Sequence, residues 1–161
     1  MTEKKRLRIM VDMSATLIHH GHVRLLKKAA ELGDVVVALT SDEEVRTKKG
    51  YQPELSFAER REVLTAFRYV TEVVESPWLI TEAFVDACGC DLLVHGADNS
   101  NEISPERLVI YPRTEGVSST ELRERVVAAI LSMKKAGKKN VATEKLGELV
   151  VDAVRDAFGV K

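Results

Sequence analysis

Residues Leu7–Leu39, LRIMVDMSATLIHHGHVRLLKKAAELGDVVVAL, carry the pattern on which the fold is read. Leu7–Val11 is a short alternating apolar stretch that stops at Asp12, as a strand end does. His22–Leu32 then places Val23, Leu25, Leu26, Ala29 and Ala30 on one helical stripe, with Gly33 positioned to end the helix. Val35–Leu39 is an unbroken β-branched and apolar run, the composition of a strand buried on both faces. Strand, amphipathic helix and buried strand in immediate succession define a parallel β-α-β unit.

Working outward, the alternation continues. Thr40–Glu54 is polar and reads as a loop. A helix starts near Ser56, where Ser56 and Glu59 have capping-box spacing and Val63, Leu64 and Phe67 form the expected inward face. Val70–Val74 reads as a strand, Ile80–Ala87 as a helix, Leu92–His95 and Leu108–Tyr111 as strands, and Ser119–Leu131 as a helix. The fold expected is α/β, a Rossmann-like, doubly wound parallel sheet of about five strands. Such sheets bind ligands at the carboxyl ends of their strands, here just after Val11, Leu39, Val94 and Tyr111. Residues 1–132 form the expected domain. Met133–Lys145 is basic and contains Gly137, a hinge pattern with the lysines 134, 135, 138 and 139 solvated. Beyond it, Leu146, Leu149, Val150, Ala153, Val154, Ala157 and Phe158 make one apolar face of an added C-terminal helix. That face is expected to pack on the domain or on a second subunit.

Composition narrows the function classes. The 161 residues suit one compact domain, and 24 basic against 25 acidic side chains leave a net charge of -1, so no global basic field for nucleic acid exists. The apolar runs are too short to span a bilayer, and no secretory signal is visible, so the expected compartment is cytoplasmic. Cys88 and Cys90, one residue apart, read as plain thiols at a helix end rather than a disulfide or a zinc site.

Two segments carry chemistry. In His19-His20-Gly21-His22, between the first strand and the first helix, two histidines three apart face one ligand if they occupy the entry turn. Gly21 admits close backbone approach, and the positive helix end suits phosphate. His20 is expected to be structural or to face solvent. Arg113-Thr114-Glu115-Gly116-Val117-Ser118-Ser119-Thr120, before the last helix of the domain, joins a guanidinium fork to hydroxyls and helix amides. Ser118 and Glu121 again have capping-box spacing, so Ser118 is expected to cap that helix. His95 reads as a hydrogen-bonded core histidine at a strand end, and Trp78 as packing.

The pair of segments, HxGH after strand one and R-T-x-G-V-S-S-T before the closing helix, resembles the signatures of the cytidylyltransferase family over about residues 8–125. The resemblance implies transfer of CMP from CTP to a phosphate or phosphonate monoester, with release of pyrophosphate. It implies catalytic parts for His19, His22, Lys48, Arg113 and Ser119. Nucleotide contacts are implied for Met13, Ser14, Ala15, Thr16, Gly21, Gly96, Asp98, Val117, Ser118 and Thr120, and acceptor contacts for Lys48, Arg60 and Arg68. Mg²⁺ is implied with the nucleotide rather than on a protein metal site, and a homodimer is the implied assembly. Met13-Ser14-Ala15 and Leu17-Ile18-His19 are similar to the phosphonate-biosynthesis subgroup, although Thr16 stands where that subgroup keeps an aspartate. The alternatives are an adenylyltransferase using ATP, a silent nucleotide-binding regulatory module and, more remotely, a fragment of a class I tRNA synthetase.

Overall fold

The computed structural model describes residues 6–135 together with 149, 151 and 152. Among them the chain runs β1 (Leu7–Met13), α1 (His20–Leu32), β2 (Gly33–Thr40), α2 (Asp42–Lys49), α3 (Phe57–Thr65), β3 (Glu72–Ser76), α4 (Glu82–Ala87), β4 (Leu92–Gly96), a 3₁₀ turn Pro105–Arg107, β5 (Leu108–Tyr111) and α5 (Ser119–Lys135). All five strands are parallel, in the order β3-β2-β1-β4-β5, so the expected doubly wound sheet is present. The chain divides into two compact units, Met1–Glu115 and Gly116–Lys161, a division ahead of the hinge expected at Met133. The expected helix over Ala142–Phe158 lies largely outside the described residues. Among the described residues no helix is long and apolar enough to cross a membrane.

The first unit holds the sheet. Alternation along β1 and β2 sends Ile9, Val11, Val35, Val37 and Leu39 to one face, where they pack with Leu26, Ala29 and Leu64. Met10, Val36 and Ala38 go to the other face, with Ile80, Val85 and Leu93. Both faces are dry, which is why β2 could be read from an unbroken apolar run. Gly33 caps α1 through its N–H to Ala29 O and opens β2 in extended geometry. A Cβ there would sit 2.1 Å from Leu7 O, so only glycine lets the first two strands begin side by side.

The polar stretch after β2 is not all loop. α2 exposes most of its residues and buries only Val45, so hydrophobic periodicity is silent. It is held by its ends: Ser41 accepts from Glu44 N, and Gly50, at φ +76°, donates to Arg46 O. Asp42, Glu43 and Glu44 lie at its positive end and Arg46, Lys48 and Lys49 at its negative end, a charge order that favours the helix. In α3 the Ser56–Glu59 capping box forms as expected. The inward residues, however, are Arg60 and Leu64, both fully buried, while Val63 is 39% exposed. β3 starts at Glu72 rather than Val70, because Phe67–Val70 closes as a turn.

The order of strands reverses at β1, whose neighbours are β2 on one side and β4 on the other. The carboxyl ends of β1 and β4 therefore flank the crevice such a sheet provides.

Candidate active site

The HxGH segment folds as a capping device. His19 is the N-cap of α1, in extended conformation, and its Nδ1 accepts from Gly21 N at 3.2 Å. His22 Nδ1 accepts from His19 N at 3.2 Å, completing a reciprocal box in which imidazole replaces the usual hydroxyl and carboxylate. The two rings stack with centroids 3.9 Å apart. A nitrogen that accepts cannot carry the proton, so a neutral His22 ring holds its own on Nε2. Burial, the neighbouring His19 and the positive charges of Lys49 and Arg113 hold His22 down to about 3. At neutral pH His22 is thus an uncharged donor at the positive end of a helix, fixed in tautomer by backbone. His20 is exposed, its ring edge-on to His19.

Lys49 and Arg113 bring charge to this spot from different strand ends. Lys49 closes α2, and its ammonium lies 5.7 Å from the Trp78 ring centre. The lysine acting on His22 is therefore the neighbour of Lys48, the residue that the motif resemblance suggested. Arg113 follows β5 and donates through Nη1 to Asp98 Oδ2 at 3.1 Å. Gly96 leaves room for this carboxylate, since a Cβ there would lie 2.9 Å from Asp98 Oδ1. Gly96, Asp98 and Arg113, singled out separately in the sequence, thus form one unit.

Between β1 and HxGH, the chain passes through Met13-Ser14-Ala15-Thr16, where Ser14 alone is not buried. Ala15 has φ +45°, a left-handed conformation costly for a residue with a Cβ. Arg60 pins this turn from α3: its Nη1 donates to Ser14 O at 2.5 Å, its Nη2 to Asp42 Oδ1 at 2.6 Å and its Nε to Leu55 O at 3.2 Å. Arg60, for which resemblance implied an acceptor contact, has no exposed surface and spends its guanidinium on these three acceptors. Arg68 remains exposed, with its guanidinium 5.1 Å from the Tyr69 ring centre.

Beneath the crevice lies a polar group that sequence reasoning missed. Asp12, at the end of β1, accepts from Asn101 Nδ2 at 3.0 Å and faces His95 Nε2 at 3.4 Å. Burial raises its carboxyl above the ordinary range, against the opposing pull of His95. Cys88 and Cys90 are free, and burial pushes the Cys90 thiol up to about 11, which leaves it a protonated core group.

In the second unit, Gly116 has φ +68°, and its carbonyl accepts from Arg125 Nη2 at 2.6 Å. Ser118 Oγ accepts from Glu121 N at 3.0 Å and so caps α5 as expected, with Ser119 and Thr120 in the first turn. Val117 is buried.

Residues 14–125 match the cytidylyltransferase-like family. The chain is 36% identical over 162 residues to an ethanolamine-phosphate cytidylyltransferase of Dictyostelium discoideum, covering 92% of this chain and 43% of that protein. It is 33% identical over 115 residues to the glycerol-3-phosphate cytidylyltransferase of Bacillus subtilis (strain 168), covering 68% of this chain and 89% of that one. It is also 38% identical over 106 residues to an FAD synthase of Thermococcus sibiricus, covering 65% and 72%. Among solved structures, a lipopolysaccharide core biosynthesis protein from Thermoplasma volcanium GSS1 shares the fold, with a TM-score of 0.58 at 18% identity over 68% of this chain and 98% of that one. The chain spans less than half the length of the ethanolamine-phosphate cytidylyltransferase it matches. It belongs to the cytidylyltransferase-like family.

Proposed function

We propose that this protein transfers CMP from CTP to a compact phosphate or phosphonate monoester and releases pyrophosphate. The observation that carries the reading is His22: a neutral, backbone-locked Nε2–H donor at the start of α1, under the positive charge of Lys49 and Arg113. An acceptor oxygen attacks the α-phosphorus, the bond to the bridging oxygen breaks, and that oxygen leaves with pyrophosphate. Little covalent work falls to the protein, so catalysis is alignment plus stabilisation of charge on the phosphoryl oxygens. A histidine unable to hold a second proton near pH 7 donates a hydrogen bond without giving the proton away. Lys49 and Arg113 offset the negative charge that builds up on the leaving group. The first amides and hydroxyls of α5 have the chemistry that holds phosphate. Mg²⁺ travels with the triphosphate as part of the substrate.

The acceptor reading rests on two supports. Relatives named for ethanolamine phosphate and glycerol 3-phosphate favour a small phosphomonoester, and the Met13-Ser14-Ala15 start favours its phosphonate counterpart. Few aromatic residues are present to cage a quaternary ammonium, so phosphocholine is expected to be poor. The likeness to an FAD synthase supports an adenine nucleotide as second reading. The test is pyrophosphate release with CTP and ATP against phosphoethanolamine, 2-aminoethylphosphonate, hydroxyethylphosphonate, glycerol phosphate and phosphocholine. Release with CTP and a small acceptor is expected. Preference for ATP would replace the nucleotide assignment, and no release with any pair would overturn the reading.

A further inference from the structure

The polar group beneath the crevice has a proton inventory that its geometry dictates. Asn101 Oδ1 accepts from Ile80 N at 2.8 Å, which fixes the amide so that its Nδ2 donates to Asp12 Oδ2. His95 Nδ1 lies 2.9 Å from Gly96 O, and a carbonyl only accepts, so Nδ1 carries a proton. The other nitrogen, Nε2, faces Asp12 Oδ2 at 3.4 Å. A neutral ring would then aim a lone pair at a carboxylate, with side chains only 19% and 11% exposed. The contact is favourable only when one further proton sits on the pair, as imidazolium against carboxylate or as imidazole against carboxylic acid. Asp12 Oδ1 is buried without a hydrogen-bond partner, a situation a neutral carboxyl tolerates better than a charged one.

This pair is mechanically connected to the crevice. His95 Nδ1 grips the carbonyl of Gly96 and lies 4.0 Å from Asp98 Oδ1. Asp98 Oδ2 in turn accepts from Arg113. The groups facing the pair are thus Asp12 from β1, His95 from β4, Asp98 from the turn after β4 and, through Asp98, Arg113 from the end of β5. We propose that Asp12 and His95 share one proton and act as a positioning pair for the Gly96–Asp98 turn and Arg113, so that the hold on a nucleoside triphosphate loosens when that proton is lost. The binding half of this proposal rests on the nucleotidyl-transfer reading, whereas the shared proton does not.

The sign follows from the geometry. Raising the pH strips the proton, lone pair and carboxylate then repel, and the ring that holds Gly96 shifts. His95→Gln places an amide donor where Nε2 stands, without a titrating group, whereas His95→Leu removes the donor altogether.

The test has two readouts on the full chain. Calorimetric titration with CTP across the pH range is run on wild type, His95→Gln and His95→Leu, ionisation of the triphosphate being common to all three. Wild-type affinity is expected to fall about ten-fold as the pH rises. His95→Gln has no titrating ring and should bind CTP with the same affinity at the acid and alkaline ends, and His95→Leu should bind about ten-fold more weakly than wild type even at the acid end. A His95→Gln curve that follows the wild type, or a His95→Leu protein that binds as wild type, would overturn the proposal. If His95→Leu does not fold, the wild-type and His95→Gln curves decide. Ring-nitrogen NMR without nucleotide supplies the second readout. His95 should lose the shared proton in one step that moves in Asp12→Asn, and an unmoved step would overturn the pairing. Failure of wild type to bind CTP would remove the nucleotide reading while leaving this NMR outcome to judge the pair.

Discussion

The two turns that follow β1 adjoin in sequence and are built on opposite principles. His19–His22 is closed by its own neighbours: each imidazole accepts from a backbone N–H two or three residues away. Met13–Thr16, just before it, is held from afar, by Arg60 acting 46 residues along the chain on Ser14 O. Asp12, at its entrance, is held by Asn101 from 89 residues away. The first turn can form as soon as α1 nucleates. The second exists only once α2, α3 and the β4–β5 loop have docked, and it carries the left-handed Ala15 as the cost of its shape.

The largest expected effect breaks the distant turn. Arg60→Met removes a buried guanidinium, leaving the carbonyls of Ser14 and Leu55 without this donor and the Asp42 carboxylate with Phe57 N but no charge partner. Breaking a buried charge pair from one side costs roughly 3–5 kcal/mol. Asp42 keeps 30% exposure, so the lower end of that range is expected, read as the fall in unfolding free energy by denaturant titration. A loss below 1 kcal/mol would show that the turn stands without Arg60.

A comparable effect, placed on rate rather than stability, tests the local turn. His22→Ala should lower kcat by about 10²–10³-fold, the typical result of removing one preorganised donor, while His20→Ala stays near wild type. Steady-state kinetics with CTP checks both. Equal, small losses at the two positions would deny the capping geometry its chemical role. The smallest effect belongs to the second unit, where Ser118→Ala removes the Oγ that accepts from Glu121 N. About 1 kcal/mol of stability should be lost. An unchanged melting temperature with collapsed turnover would assign Ser118 to substrate instead.

The same contrast explains what the sequence made legible. All five strands and the helices α1, α3, α4 and α5 announce themselves through runs, stripes and caps, which are local. α2 stays hidden because only Val45 faces inward, and with it the phase that brings Lys49 rather than Lys48 to bear on His22. Arg60 was marked as an acceptor contact by resemblance alone, and nothing in the local sequence signals its burial. Only the docking of Asp42 and Ser14 shows it as the buried residue of the stripe that Val63 was expected to fill. His95, at the end of an apolar run, has the sequence context of a hydrogen-bonded core histidine, and its Nδ1 lies 2.9 Å from Gly96 O. Its other partner, Asp12, lies far earlier in the chain, where the local sequence marks only a strand end.

His22 as a neutral donor is tested directly by ring-nitrogen NMR of His22 followed across pH, with and without CTP. Its protonation is displaced from the ordinary value near 6.5 to about 3. The folded protein therefore takes up this proton only well after the unfolded chain has done so. Stability contributed by His22 is present above pH 6.5 and is lost as the pH falls towards 3. The account predicts one proton, on Nε2, throughout roughly pH 4 to 8, a ring signal that shifts when CTP is added, and a melting temperature that declines on acidification over that window, less steeply in His22→Gln. Protonation near the ordinary histidine value, or a signal that CTP leaves untouched, would contradict it.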